Sequence, residues 1–250
     1  MKTRFLCPLL VLLSWQLAAA SGLLPPELAS SPLEILQGIW ELERVGLPPD
    51  FYLHNHILFS LRLVSTGFFL ALACAVPLGI LLGASRMARA LLSPLFEFLR
   101  PVPPLAWIPI SMLWFGIGFP SACFIIFLGA FFPILVNTTA GVADVPKGLI
   151  GAAEILGADR VSLWRKVLLP ASLPNILTGI RLGMGIAWMT LVAAEFTGVQ
   201  EGYGLGYMIM TARDLQRLDL ILAGMAVIGL IGIAIERILC YLSRLLLRGR

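Results

Sequence analysis

Six stretches of this chain, each close to 20 residues or longer, are almost wholly apolar, and short polar segments separate them. No other feature restricts the fold as strongly. A hydrocarbon layer about 30 Å thick takes roughly 20 apolar residues per helix, and within it every backbone N–H and C=O must be satisfied inside the protein. Of the 250 residues, 59% are hydrophobic and 13% charged, and the mean hydropathy is +0.93. Soluble domains do not have this composition. The chain is predicted to be an all-α integral membrane protein of about six transmembrane helices.

The first stretch follows Lys2 and Arg4 and covers residues 5–22. It is either a first membrane helix or a signal peptide cleaved after Ala18-Ala19-Ala20. A run of about 18 residues exceeds the usual apolar core of a signal peptide, about 7–15, so a retained helix over 1–23 is expected. Residues 24–56 carry Glu27, Glu34, Glu41, Glu43 and Asp50 against Arg44, which fits an external interfacial segment. Ser31-Pro32 opens an amphipathic helical pattern there. His54 and His56 have no partners for a metal site in the nearby sequence and are expected at the interface.

The remaining five stretches form a core over 57–245, with a short tail over 246–250. The span over 57–83 carries Arg62 near its outer end, where the side chain either snorkels to the interface or faces an internal cavity and attracts an anion. The third stretch, 91–118, is interrupted by Pro101, Pro103, Pro104 and Pro109. Such interruptions persist in membranes where backbone is buried in protein or lines a cavity, and they mark transport pathways. Within it Glu97 and Arg100 can pair at i,i+3. The fourth stretch covers 122–141 and the fifth 173–198. Arg181 and Glu195 on the fifth are 14 residues apart, about 21 Å along a helix, and cannot pair with each other. Glu201 to Tyr207 is too glycine-rich for regular helix and is expected to be an external loop or half-inserted segment. The sixth stretch covers 220–241.

Charge decides the sidedness. One set of loops and ends holds Lys2, Arg4, Arg86, Arg89, Arg100, Lys147, Arg160, Arg165, Lys166, Arg244, Arg248 and Arg250; the alternate set holds Arg44, Arg213 and Arg217. Positive residues collect on the cytoplasmic side, so both termini are predicted inside. The same rule accounts for the pI of 9.1 without nucleic acid, since no basic patch interleaved with aromatics occurs. Cys7, Cys74, Cys123 and Cys240 lie in apolar segments without metal-ligand spacing and are read as small hydrophobes.

The longest cytoplasmic loop, 144–170, is polar between two very apolar neighbours. Its signals describe two short amphipathic helices with a bend. Asp144 is expected to cap the first, Pro146 to sit in its opening turn, Gly157 to end it in the left-handed conformation, Asp159 to cap the second and Pro170 to stop it. Small residues at Gly151, Ala152, Ala153, Gly157 and Ala158 leave the backbone open to close approach. An ordinary surface loop would also fit these signals.

Chemistry is largely excluded. No GxxxxGK[ST] phosphate loop, HExxH or GxSxG occurs, so nucleotide hydrolysis would belong to a partner. The membrane acids are isolated, whereas proton-coupled carriers need several buried ionisable groups near the bilayer midplane.

Ala152-Ala153, then Gly157 after three residues, then Val167-Leu168-Leu169-Pro170 after nine resembles the cytoplasmic coupling loop of ABC importer permeases. That pattern opens with Glu-Ala-Ala, and here Gly151 stands in place of the acid, with Glu154 the nearest carboxylate. The resemblance extends to Trp15-Gln16-Leu17-Ala18, to Leu99 through Pro109 with Pro103 and Trp107, to Leu113-Trp114-Phe115-Gly116, and to Gly179-Ile180-Arg181, Trp188, Ala194-Glu195 and Gly204-Leu205-Gly206-Tyr207. Together these look like permeases of the nitrate, sulfonate, taurine and bicarbonate importer group. The resemblance implies the methionine-importer-type fold in a bacterial inner membrane, a second copy of the chain, a cytoplasmic ABC ATPase dimer and an external solute-binding protein. It also implies that this chain binds no cofactor, with ATP and Mg on the ATPase. The loop residues Gly151, Ala152, Ala153, Glu154, Gly157, Ala158, Leu169 and Pro170 would couple to that ATPase. Arg62, Pro103, Trp107, Arg181, Trp188 and Glu195 are candidate pathway or gate residues, Arg181 either helping an anion pass or bracing Glu236. The expected cargo is a small oxyanion. A neutral or heterocyclic nutrient such as a pyrimidine vitamin precursor is the alternative within the class, and a channel or secondary carrier working without an ATPase is the alternative outside it.

Overall fold

The computed structural model describes residues 6–21, 30–48, 50–196 and 202–247. Every regular element among them is helical. In chain order they are α1 (Leu6–Ala20), α2 (Pro32–Arg44), α3 (Leu53–Ala84), α4 (Arg86–Leu99), a 3-10 turn (Pro104–Trp107), α5 (Ile108–Phe115), α6 (Phe119–Ala143), α7 (Lys147–Ile155), α8 (Arg160–Leu163), a π turn (Trp164–Leu168), α9 (Leu169–Glu195), α10 (Leu205–Asp214) and α11 (Leu218–Leu247). Four helical stretches are long and apolar enough to cross a membrane: Leu53–Ala84, Phe119–Ala143, Arg160–Glu195 and Leu218–Leu247. They correspond to four of the six expected spans. The first expected span appears as the 15 residues of α1, with residues 1–5 outside the described residues. The third is broken, as its prolines require: α4 stops at Leu99, a 3-10 turn follows, and α5 restarts with Pro109 in its first turn, where a missing N–H costs nothing.

Two compact units arise, one within Met1–Leu61 and Glu201–Ile231, the other within Arg62–Gln200 and Gly232–Arg250. In the first, α2 opens with a capping box in which the Ser31 hydroxyl accepts from the Glu34 N–H while the Glu34 carboxylate accepts from the Ser31 N–H. At its other end Glu41 accepts from the Arg217 guanidinium at 2.7 Å, and Arg217 also donates to Asp219 at 2.7 Å. These two acids raise the Arg217 pKa above its ordinary value, Asp219 contributing most. His56 corrects the interfacial expectation: it is fully buried. Its Nδ1 accepts from the Gly204 N–H at 3.1 Å, and its Nε2 lies 3.1 Å from the carbonyls of Leu47 and Phe51. That network fixes the neutral tautomer with the proton on Nε2. The Ser60 hydroxyl accepts from the Leu205 N–H at 2.9 Å, so the histidine and serine together tie the start of α3 to the entry of α10. The glycine-rich segment therefore ends in a ten-residue helix, α10, rather than continuing as loop; residues 197–201 lie outside the described residues.

The second unit is assembled by close backbone contact. A Cβ placed at Gly67, Gly79 or Gly83 of α3 would lie under 3 Å from Ile126, Thr138 or Val142 of α6, each 59 positions further along the chain. A constant offset means the two helices run in the same direction. Between α6 and α9 the order reverses: Gly129 meets Thr190, Ile134 meets Gly183, Asn137 meets Gly179 and Gly141 meets Asn175. These two are antiparallel. Gly232 of α11 packs on Trp188 of α9, and Arg181, earlier on α9, reaches Glu236, later on α11, so α11 also opposes α9. Small residues at such seams let helices approach where lipid offers no hydrophobic drive to association. Of these four helices, α3, α6 and α11 run one way and α9 the other.

Candidate functional site

Loop 144–170 is built as a helix, a bend and a helix, with two corrections to the expected boundaries. Asp144 closes α6, its N–H donating to the Ala140 carbonyl, and does not cap α7; Pro146 occupies the position before α7 and Lys147 starts it. At the other end the chain does not stop at Pro170. The helix runs on from Arg160 to Glu195, and the π turn over Trp164–Leu168 is its local adjustment. A proline cannot donate to the carbonyl four residues back and its ring crowds it. A widened turn immediately before Pro170 is the form in which helices absorb such a defect.

The bend itself is fixed by backbone hydrogen bonds. Gly157 has φ +77°, the left-handed region that glycine enters without penalty. Its N–H donates to the Glu154 carbonyl at 3.0 Å, and the Ala158 N–H donates to the Ala153 carbonyl at 3.0 Å. That pair of bonds is a Schellman motif. It accounts physically for the separation of Ala153 from Gly157. Asp159 then caps α8 as expected, accepting from the Ser162 N–H at 3.3 Å. Ser162, through its hydroxyl first and its N–H second, holds the Asp159 carboxyl below the usual carboxylate range.

Among the described residues little covers the bend of the loop. No residue of α7, α8 or the π turn is buried. Ile155 and Leu156, at the bend, are 88% and 86% exposed, and Leu149 and Val161 are exposed as well. These four apolar side chains, of the kind that would normally turn inward, face away. Gly148, Gly151 and Gly157 have no atom within 4 Å of where a Cβ would stand. Leu169 is exposed and Pro170 half-buried at the base of α9.

The candidate pathway residues fall in several places. Pro103 precedes the 3-10 turn and Trp107 ends it, half-buried. Arg62 is exposed on α3 with its guanidinium 5.5 Å from the Phe119 ring centre. Glu195 is buried at the end of α9. Arg181 and Trp188 are brought together on a cavity of about 340 Å³ between α9 and α11, with Glu236 and Arg237 opposite. Arg181 donates to Glu236 at 3.4 Å, the bracing contact considered for it. Glu97 and Arg100 do not pair among the described residues; both line a separate cleft of about 370 Å³ with Arg89 and Asp144.

Sequence reasoning missed three residues that the structure places in contacts or in a cavity wall. Arg89 donates to the Leu82 and Gly83 carbonyls at 3.0 and 2.7 Å and so caps the end of α3; a basic residue just past an apolar run was the available signal. Asn137 donates to the Pro133 carbonyl at 2.8 Å inside the α6–α9 seam. Arg237 lies within the sixth apolar stretch, away from the charged loops, and lines the cavity of Arg181.

Parallel and antiparallel apolar helices, a proline-broken segment and an exposed helical loop together describe an all-α membrane protein. Residues 75–248 match the family described as binding-protein-dependent transport system inner membrane component. An ABC transporter permease protein of Methanocaldococcus jannaschii is 52% identical over 76% of this chain and 70% of its own. The taurine transport system permease protein of Escherichia coli is 38% identical over 89% of this chain and 80% of its own, and the bicarbonate transport system permease protein of Synechococcus elongatus is 35% identical over 95% and 86%. The chain belongs to this family of transport-system membrane components. Its fold is that of a chain of the MetNI methionine ABC transporter, solved in inward-facing conformations, with a TM-score of 0.57 over 84% of this chain and 96% of that one at 21% identity.

Proposed function

We infer that this chain is the transmembrane subunit of an ATP-driven importer of a small oxyanion, and that loop 144–170 is where ATP hydrolysis by a partner ATPase acts on it. The observation that carries the proposal is the uncovered bend: a Schellman-fixed turn displaying Ile155 and Leu156 to solvent. A chain that leaves large apolar side chains this exposed on a charged loop keeps them for another protein. Gly151, Ala152, Ala153 and Ala158 let that partner approach the backbone, and Leu169 and Pro170 join the loop to α9. Because α8 continues through the π turn into α9, a displacement of the bend passes into a membrane helix.

The parallel course of α3, α6 and α11 supports placing Arg86 and Arg89, the loop, and Arg244 on one side, which the positive-inside rule makes cytoplasmic. Both termini then lie in the cytoplasm, with 1–23 a membrane helix, 24–56 external, 57–245 the permease core and 246–250 a tail. Two copies of the chain, two ATPases carrying ATP and Mg, and an external solute-binding protein complete the assembly. ATPase closure draws the two loops together and opens the helices outward; hydrolysis resets them. The named cargoes of the taurine and bicarbonate relatives favour an oxyanion, passing the proline-broken segment with Pro103 and Trp107, and Arg62, Arg181, Trp188 and Glu195.

The test is co-purification with the ATPase encoded beside this gene, comparing wild type with Gly157→Arg. The wild type retains the ATPase and the variant, folded by size-exclusion profile, loses it. Retention by both would remove the loop from the coupling role.

A further inference from the structure

Among the described residues Arg181, Arg213 and Arg217 hold carboxylates, and Arg217 and Arg181 differ in how well they are satisfied. Arg217 is saturated, with bonds of 2.7 Å to both Glu41 and Asp219. Arg181 reaches only Glu236, at 3.4 Å, and its Nε is inaccessible and without an acceptor among the described residues. Charge-assisted contacts close to about 2.7–2.9 Å when geometry allows. Arg181 is therefore a loosely held cation.

Its surroundings add a second cation. Arg237 lines the same cavity and has no ion-pair or hydrogen-bond partner among the described residues. Two guanidiniums against one carboxylate leave one positive charge in excess, on helices whose neighbouring residues are apolar. An ionisable group within a membrane span is costly and persists where it has a function. Met184, Met189 and Ile233 supply the rest of the wall. Gly232 leaves the space that Trp188 fills, since a Cβ there would stand 2.9 Å from the indole Nε1. The wall thus offers forked donors on one part and thioether and aliphatic surface on another.

We propose that Arg181 and Arg237 form a site for a singly charged oxyanion, with Glu236 as the tethered counter-ion that the anion displaces from Arg181. The anion takes the guanidinium edge that Glu236 vacates, and its apolar part faces the methionines. Glu236 sets the affinity: it offsets one of the two positive charges when the site is empty and competes with the anion, which lets it go, as a pathway site requires. The inference rests on the permease reading for its role in transport, but the binding itself does not depend on an ATPase. The oxyanion is either a passing solute or a lipid phosphate.

The experiment uses the full chain with Trp188 as its single tryptophan, in nanodiscs of zwitterionic lipid, with iodide as the quenching probe and methanesulfonate as the competing oxyanion. Saturable quenching relieved by methanesulfonate is expected. Arg181→Gln and Arg237→Gln should reduce it to a linear collisional response, and Glu236→Gln should lower the half-saturating iodide concentration several-fold. Relief by methanesulfonate assigns the site to a solute; suppression by added phosphatidylglycerol, with no methanesulfonate effect, assigns it to a lipid headgroup. An unsaturable response in the parent protein, or one unchanged by Arg181→Gln, overturns the site. Co-purification of the ATPase is measured on the same proteins. Its absence with quenching intact would defeat the importer assignment and leave the anion site standing.

Discussion

The α6–α9 seam and the loop between those helices use the same residue type for opposite ends. In the seam Gly129, Gly141, Gly179 and Gly183 each have a neighbouring atom under 3 Å from where a Cβ would be; in the loop Gly148, Gly151 and Gly157 have none within 4 Å. The seam glycines are consumed by the fold of this chain. The loop glycines are not, and Gly157 alone among them has a local reason, its positive φ. The contrast separates what holds the permease together from what it offers to others.

The largest effect expected from this contrast is in the seam. Gly183→Val would drive a side chain into Ile134 and the Ala130 carbonyl, which stand 2.8 and 3.0 Å from its Cβ. Overpacking of this kind costs about 1–3 kcal/mol, read as a lower unfolding midpoint in detergent. Gly185→Val, two residues on with nothing within 4 Å, should leave the midpoint nearly unchanged. Equal losses at the two positions would mean that close approach is not what the seam glycines provide.

A smaller effect is expected where charge rather than packing joins helices. Arg217→Gln leaves Glu41 and Asp219 facing each other without their shared cation. The side chain is 41% exposed, so the loss is held to about 1 kcal/mol by solvent screening. Arg217→Lys should recover part of it, because one ammonium cannot replace the forked donors.

The smallest effect belongs to the loop cap. Because its folded pKa is depressed, the ionised Asp159 contributes fully above the ordinary carboxylate pKa of about 3.9, and the contribution is lost as pH falls through the depressed value. Exchange protection of the Ser162 amide should therefore hold from neutral pH to about pH 4 and fall below it. Asp159→Asn should abolish that pH dependence without unfolding the membrane helices.

Much of this architecture could be read from residue types. Apolar length located the long helices to within a few residues, prolines located the broken third segment, and Gly157 and Asp159 announced the bend. The errors have common physical causes. Pro170 looked like a stop because proline breaks regular helix, yet a π turn accommodates it, and periodicity carries no signal for a turn of different pitch. Asp144 looked like a cap because acidic residues cap helices, yet the preceding helix reached it first. His56 looked interfacial because of its place near an apolar boundary. Its burial depends on the Gly204 N–H, 148 positions away, which local sequence cannot foresee. The cavity of Arg181 and Arg237 is invisible for the same reason: its walls come from two helices whose register is set by Gly232 and Trp188.

The most direct measurement is site-directed cross-linking to the ATPase. Cys7, Cys74, Cys123 and Cys240 are replaced by alanine, and a single cysteine is introduced at Ile155 or at Met189, positions 88% and 80% exposed. A short bifunctional reagent is then applied to the purified complex. A covalent adduct with the ATPase from position 155 and none from position 189 is the predicted result. Adducts from both positions, or from 189 alone, would show that the bend is not where the two proteins meet.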